Sequence, residues 1–512
     1  MKLKYIRGID SIRAVGVILV VIYHLFTEHL PGGFFGVDVF FVISGFLVAS
    51  LFIKERRETE KIDIISFIVR RIQRLLPAVL FMVVVTLALS LLISPDLRVG
   101  MREQTAAVFG WVTNYYEISL GGSYEDQYIP RLFVHMWALA VEMHYYIIAG
   151  VIFFIVCSIC VRVSRYIEKL NSLTIESSRP MPPERRILFI IFAGLAVFSY
   201  FRMQSGLIGL EDPSPVYYAT FTRMYPLMIG SALGVAFGMK IPSKRLPALV
   251  SLPGFIISIL AILWMAKEFT FADERTYSYG ILTASLLTAA AIACLMSLQL
   301  KKFFGDPKIL AIIGKRSYSI YLFHWPLYHI FKEFGINGVG PFSENTPQPV
   351  YAAFSLIATA AFAEISYRVF EQRRLAPAKA KVQAPMVSEP TEAEKYAAVG
   401  RPAPAEDKDA VTEVPEPVKK RKPNVLLIST IATMCVCGLF SIYALINEPP
   451  KTEVEEGYLH QTALINIGKI AQYDEYLSGL EMNPVAMYGR DDLLPLTPSE
   501  IGRSWTKRTT LN

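Results

Sequence analysis

Eleven apolar runs of about 18 to 25 residues divide this sequence, each the length of a helix that crosses a hydrocarbon core. They lie near 12–29, 36–53, 77–94, 134–161, 187–204, 216–238, 248–267, 277–298, 309–331, 350–370 and 424–446. Runs of this kind leave few folds open. Backbone N–H and C=O groups that cannot reach water must be satisfied within their own segment, which a helix does and an open sheet does not. The expected fold is therefore all-α, a polytopic membrane helical bundle. Composition agrees, with 53% hydrophobic and 19% charged residues among 512, where soluble domains carry roughly 25% charge.

The loops give the expected topology, because Lys and Arg favour the cytoplasmic side. With the N-terminus cytoplasmic, Lys2, Lys4 and Arg7, then Lys54 to Arg74, then the basic loops 162–186, 240–245 and 301–308 all fall inside. The outer loops 29–35 and 205–215 contain no Lys or Arg. The net charge of +7 belongs to those inner loops rather than to a nucleic-acid surface. The first run carries Arg13 and His24 and lacks a small-residue cleavage site, so it reads as a retained helix, not a signal peptide. The five cysteines lie in apolar runs and read as packing residues, and the Cys157/Cys160 pair has no partner ligands for zinc. Residues 1–374 are expected to form the membrane domain and 375–423, rich in Ala, Pro, Glu and Lys, a disordered cytoplasmic linker. The eleventh helix, 424–446, then precedes a short extracellular tail, 447–512.

Ionisable groups inside membrane helices are costly, which makes each a functional candidate. Arg13 and His24 are eleven residues apart, nearly one face of a helix, about 16 Å along its axis. Snorkelling and a satisfied helix contact would explain them equally well. Asp38, at the outer end of the second helix and at the depth of His24, could orient that imidazole or simply cap its own helix. Ser44 lies about two turns deeper. Arg70, Arg71 and Arg74 in FIVRRIQRLLP suit phosphate as well as positive-inside anchoring, with Pro77 expected to start the third span. His135 and Glu142 share a face of HMWALAVEMHYY. A membrane-interface belt covers Trp137 but does not explain a Glu142 buried in the membrane, which is expected to pair with a cation or to exchange protons. Ser317 and His324 are also seven apart, with Tyr321 between them, and Pro326 frees a backbone carbonyl that the bundle must satisfy. Four helices with polar faces suggest one shared polar cavity.

These stretches resemble the integral-membrane acyltransferase-3 family, which transfers acyl groups to cell-surface carbohydrates. IDSIRAVGVILVVIYH, GGFFGVDVFFVISGFL, FIVRRIQRLLP, HMWALAVEMHYY, RMYPLMIGSALG and GKRSYSIYLFHWPL occur in the family's order across residues 5–372. TNYYEISLGGSYEDQYIPRLFVHMWALAVEMHYY is similar to the branch that O-acetylates peptidoglycan in Gram-positive bacteria. The resemblance implies a core of about ten helices, a cytosolic acetyl-CoA donor with no bound cofactor or metal, and a muramoyl 6-hydroxyl acceptor outside. It implies His24 as the catalytic group with Arg13 alongside, Arg70, Arg71 and Arg74 at the CoA phosphates, and motif positions at Glu142, Ser317, Tyr321 and His324. Three departures stand out: Ala138 where Ser is common, FEQRRL without the usual proline after Glu371, and no Gly-Asp-Ser motif in 447–512. The branch usually carries an extracellular SGNH esterase-like domain there. The expectation is either a shortened chain or a separate SGNH-type partner.

The expected activity is thus O-acetyl transfer across the bilayer onto peptidoglycan, a wall modification that confers lysozyme resistance. His24 would act as general base or transient acetyl acceptor and Arg13 would stabilise the developing oxyanion. Another surface polysaccharide as acceptor remains an alternative, as does a proton-coupled secondary transporter built on the same His and Glu residues.

Overall fold

The computed structural model describes residues 6, 8–93, 95–121, 123–124, 131–170, 183–210, 212–237, 247–298, 307–343, 346–372 and 425–449. The expected linker 375–423 and all but 447–449 of the expected tail lie outside the described residues. The described residues contain helices and no strand. They form a polytopic helical membrane bundle in which seven helices are long and apolar enough to cross a membrane.

In chain order the helices are α1 (Ile9–Leu25), α2 (Phe35–Thr59), α3 (Ile64–Ser90), α4 (Met101–Phe109), α5 (Thr113–Leu120), α6 (Trp137–Leu170) and α7 (Pro183–Gly206). They continue with α8 (Ser214–Tyr218), α9 (Thr220–Arg223), α10 (Tyr225–Phe237), α11 (Ala248–Glu268), α12 (Ile281–Leu298), α13 (Lys308–Asn337), α14 (Gln348–Ser366) and α15 (Val425–Ile446). Among the described residues each of the eleven apolar runs falls largely on helix, but only seven of them, all except the first, sixth, ninth and eleventh, lie on helices long and apolar enough to cross a membrane. Two details differ from expectation. Pro77 lies inside α3 rather than at its start, so Arg70, Arg71 and Arg74 ride on the spanning helix itself. The start of α3 is Asp63, whose carboxylate accepts from the Ser66 N–H at 2.9 Å. The sixth run is broken into α8, α9 and α10, with Ala219 extended between the first two.

Three close helix approaches set the site. A Cβ on Gly314 of α13 would stand 1.8 Å from the Asp10 carbonyl oxygen of α1. Glycine there lets α1 and α13 touch backbone to backbone, as small residues do in membrane bundles. The same holds for Gly45 of α2 against the Leu227 carbonyl of α10, at 2.0 Å. Gly36 of α2 likewise faces the Gly16 carbonyl of α1, so that α2 and α13 both lie against α1, and residues of α3 and α6 complete the cavity between them.

Candidate active site

The polar faces form two groupings rather than one shared cavity. The first is a cavity of about 130 Å³ lined by Arg13, Ser44, Arg71, Arg74, Glu142 and Ser317, with Tyr146, Tyr318, Tyr321 and Ala138 among the remaining walls. Arg71 and Arg74 lie a helical turn apart on α3, which is why one face delivers both. Arg70 points elsewhere. Its side chain is half exposed and lies 3.7 Å from Glu55, so the expected trio of donor-binding arginines reduces to two at the cavity. Arg13 lies 3.6 Å from Asp10 and opens onto the same space.

Glu142 is only half-buried, and its carboxylate accepts from the hydroxyls of Ser44 and Tyr146 rather than forming an ion pair within the described residues. The Arg71 guanidinium lies over the Phe67 and Tyr146 rings, 5.0 and 5.2 Å from their centroids. Two cavity donors are left over. One Nη of Arg71 and the hydroxyl of buried Ser317 have no hydrogen-bond partner among the described residues. Buried donors without partners are uncommon, and here both line the same space.

The second grouping lies beyond Tyr321, toward the C-terminal end of α1. There His24, His135 and His324 converge. The His24 Nδ1 lies 2.8 Å from the His324 Nε2, and the His24 Nε2 lies 3.2 Å from the Tyr124 hydroxyl. The His324 Nδ1 lies 2.6 Å from the Tyr321 carbonyl oxygen. Pro326 has no N–H to give to the Leu322 carbonyl, four residues back. The His135 Nε2–H takes that acceptor at 3.0 Å, which meets the expectation of a freed carbonyl satisfied inside the bundle. Tyr321 is the partition between the groupings: it lines the cavity, its hydroxyl donates to the His135 carbonyl, and its own carbonyl holds His324.

Asp38 does not reach His24 and does not cap α2. It forms a wholly buried ion pair with Arg223, 3.0 Å away. The Arg223 guanidinium lies 4.3 Å from the Tyr217 ring centroid and 5.7 Å from that of Trp137. Trp137 therefore packs beside this pair instead of lining the cavity. Ala138, where a hydroxyl was expected, lies on the cavity wall, and the hydroxyls there come from Ser44 and Ser317.

A family profile for an acyltransferase domain matches residues 6–368, which contain every residue of both groupings. The chain belongs to the acyltransferase-3 family. The O-acetyltransferase OatA of Staphylococcus aureus, in strains NCTC 8325 and COL, is 35% identical over 376 residues, covering 72% of this chain and 57% of its own length. The chain thus spans little more than half the length of the curated relatives it matches. No solved structure matches it.

Three groups of this chain escaped the sequence reading. Arg223 is an ionisable residue within an apolar run, so the rule that found Arg13 would also have found it. Tyr124 lies in a loop and is one of 26 tyrosines, with no periodicity to single it out. Glu117 and Arg131 form a pair 2.6 Å apart in which Glu117 is wholly buried, and the Arg131 carbonyl accepts from the Trp325 indole N–H at 2.9 Å. The Trp325 ring in turn stands edge-on to His24, 4.7 Å between centroids.

Proposed function

We propose that this protein is a membrane O-acetyltransferase that takes acetyl from acetyl-CoA on the cytoplasmic side and delivers it to a hydroxyl of peptidoglycan outside. The observation that carries the reading is the series of groups along one axis. Cationic Arg71 and Arg74 and the spare donors of Arg71 and Ser317 stand at one end, and His24 with a hydroxyl at its Nε2 stands at the other. The Lys- and Arg-rich loops, by their preference for the cytoplasmic side, support an orientation with the arginine end inside and His24 toward the outer face. OatA is an O-acetyltransferase, which supports the acyl group and the reaction class.

In this reading Arg71 and Arg74 meet the phosphates of the donor, since guanidinium groups bind phosphate bidentately. Arg13 and Ser317 face the thioester. The acceptor hydroxyl takes the place beside the His24 Nε2 that the Tyr124 hydroxyl holds here. His24 removes the hydroxyl proton as the oxygen bonds to the acyl carbon, the C–S bond breaks, and the proton on Nε2 passes to the leaving thiolate. The products are the O-acetyl ester and CoA thiol. Tyr321 must yield for the thioester to meet His24, because it separates the cavity from the histidines.

The test is transfer from radiolabelled acetyl-CoA by the protein in nanodiscs, with muropeptide oligosaccharides as acceptor. Ester label on the acceptor with wild type, and none with His24→Ala, is the expected result. Donor turnover unchanged by His24→Ala would overturn the role of His24. No turnover with any glycan hydroxyl, together with uptake of intact solute into proteoliposomes, would move the protein to the transporter class.

A further inference from the structure

We propose that His324 is the positioning residue that fixes His24 in its Nδ1-protonated tautomer and thereby aims the Nε2 lone pair at the acceptor hydroxyl. The proposal rests on the acyl-transfer reading of His24 and assigns the geometry that makes it a base.

The proton positions follow from what each partner can do. A backbone carbonyl only accepts, so the His324 Nδ1, 2.6 Å from the Tyr321 oxygen, carries a proton. In a neutral ring the other nitrogen then offers a lone pair. That nitrogen, Nε2, lies 2.8 Å from the His24 Nδ1, so His24 donates there. A neutral His24 with its proton on Nδ1 has its lone pair on Nε2, and the Tyr124 hydroxyl 3.2 Å away donates to it. For two neutral rings this is the single consistent assignment, and it begins at a helix carbonyl that cannot change role.

The surroundings hold this arrangement in place. His324 is wholly buried, its ring lies 5.5 Å from that of Tyr321 and 5.8 Å from that of His135, and it shares a stacked contact with His24 at 5.0 Å between centroids. Backbone contact at Gly314 keeps α13 from drifting away from α1. Sequence spacing gave no sign of the pair, because the two rings are 300 residues apart. In base-and-orienter arrangements the third group holds the imidazole in one tautomer and steadies the imidazolium that forms. Here a neutral imidazole with a committed lone pair supplies that acceptor.

The experiment uses the full chain in bilayers with ¹⁵N-labelled histidine, and the variants His324→Phe and His324→Gln. Solid-state NMR separates protonated from unprotonated ring nitrogens, and the His24 signals are identified by their loss in His24→Ala. Wild type is expected to show His24 protonated at Nδ1. His324→Phe keeps a ring in the site but removes the acceptor, so the His24 proton is expected to move to Nε2 and acetyl transfer to fall by about 100-fold or more, since the wrong tautomer is worth on the order of 10⁴ in hydrolase triads. His324→Gln returns an amide oxygen to the site and should recover at least about a tenth of the activity and the Nδ1 tautomer. A wild-type His24 protonated at Nε2, or a His24 that keeps Nδ1–H in His324→Phe, overturns the proposal. If the tautomers behave as expected while the wild type transfers no acetyl group, the positioning stands and the acyl-transfer reading fails.

Discussion

Asp38 and Arg223 are paired 3.0 Å apart in the interior of the bundle, and neither side chain is exposed. The pair locks α2 to the end of α9, and Arg223 lies against Tyr217, whose ring is 4.9 Å from that of Tyr124. An ion pair on one side of an aromatic stack therefore holds the tyrosine whose hydroxyl meets His24 on the other.

Removing one partner leaves a charge stranded in a medium that cannot solvate it. Asp38→Asn or Arg223→Met is expected to cost about 3–5 kcal/mol, while the double variant Asp38→Leu with Arg223→Met should recover most of that loss. Thermal unfolding in detergent measures all three. A double variant as unstable as the worse single would show that the two residues act separately.

The arginines of α3 are expected to split by direction. Arg71→Ala and Arg74→Ala each remove a cation from the cavity and should raise the KM for acetyl-CoA about tenfold, the size of one charge-assisted hydrogen bond. Arg70→Ala, beside Glu55, should leave KM within about twofold, as exposed ion pairs contribute little. Steady-state kinetics at fixed ionic strength makes the comparison, and equal effects at all three positions would rule out a directional site.

Much of this architecture is legible in the sequence because apolar runs and stranded charges are local signals. Arg13, Ser44, Glu142 and Ser317 each announce themselves by lying inside a run, and the structure brings all four to one cavity. What local signals do not carry is which buried group faces which. Asp38 and His24 share a depth, yet Asp38 faces Arg223 because Gly45 draws α2 against α10. The role of Tyr124 depends on a loop returning to the bundle, where its backbone N–H donates to the Ser214 hydroxyl at 2.7 Å, a contact that no periodicity encodes.

Pro326 and His135 should behave as a compensating pair. His135→Phe leaves the Leu322 carbonyl without its donor and is expected to cost about 1–3 kcal/mol. Adding Pro326→Ala restores a helical N–H to that carbonyl and should return most of the stability. Denaturation midpoints of the two singles and the double close the cycle, and strict additivity would mean that the carbonyl does not couple them.

The cap of α3 has a definite pH dependence. Hydrogen bonds from the Ser66 hydroxyl and N–H hold the Asp63 carboxyl below its ordinary value of 3.8. A carboxyl lowered by folding stabilises the fold at pH above its unfolded value, and that contribution disappears as pH falls through the folded one. Hydrogen exchange at the Ser66 amide, corrected for its intrinsic pH dependence, should therefore show protection that is constant near neutrality, begins to fall below about pH 4 and is lost as the pH passes through the lowered folded value. In Asp63→Ala the amide should be unprotected throughout and indifferent to acid. Protection that survives acidification would place the cap elsewhere.

Helix α15 is fastened to the bundle at its C-terminal end. Helix C-termini leave carbonyls without donors. The guanidinium of Arg102 on α4 supplies two, at 2.6 Å to the Leu445 oxygen and 2.9 Å to that of Ile446, and lies 3.1 Å from the Glu448 carboxylate. Lower down, the Ser441 hydroxyl donates to the Val84 carbonyl of α3 at 2.9 Å. Arg102→Ala is expected to speed hydrogen exchange in the last turn of α15 about tenfold, the loss of one charge-assisted contact, while exchange at the middle of α1 stays unchanged. Arg102→Lys, a single point charge that cannot span both carbonyls, should fall between the two. If α15 exchanges alike in all three proteins, the clamp does not hold the helix end, and Ser441 and the apolar face of α15 carry the docking.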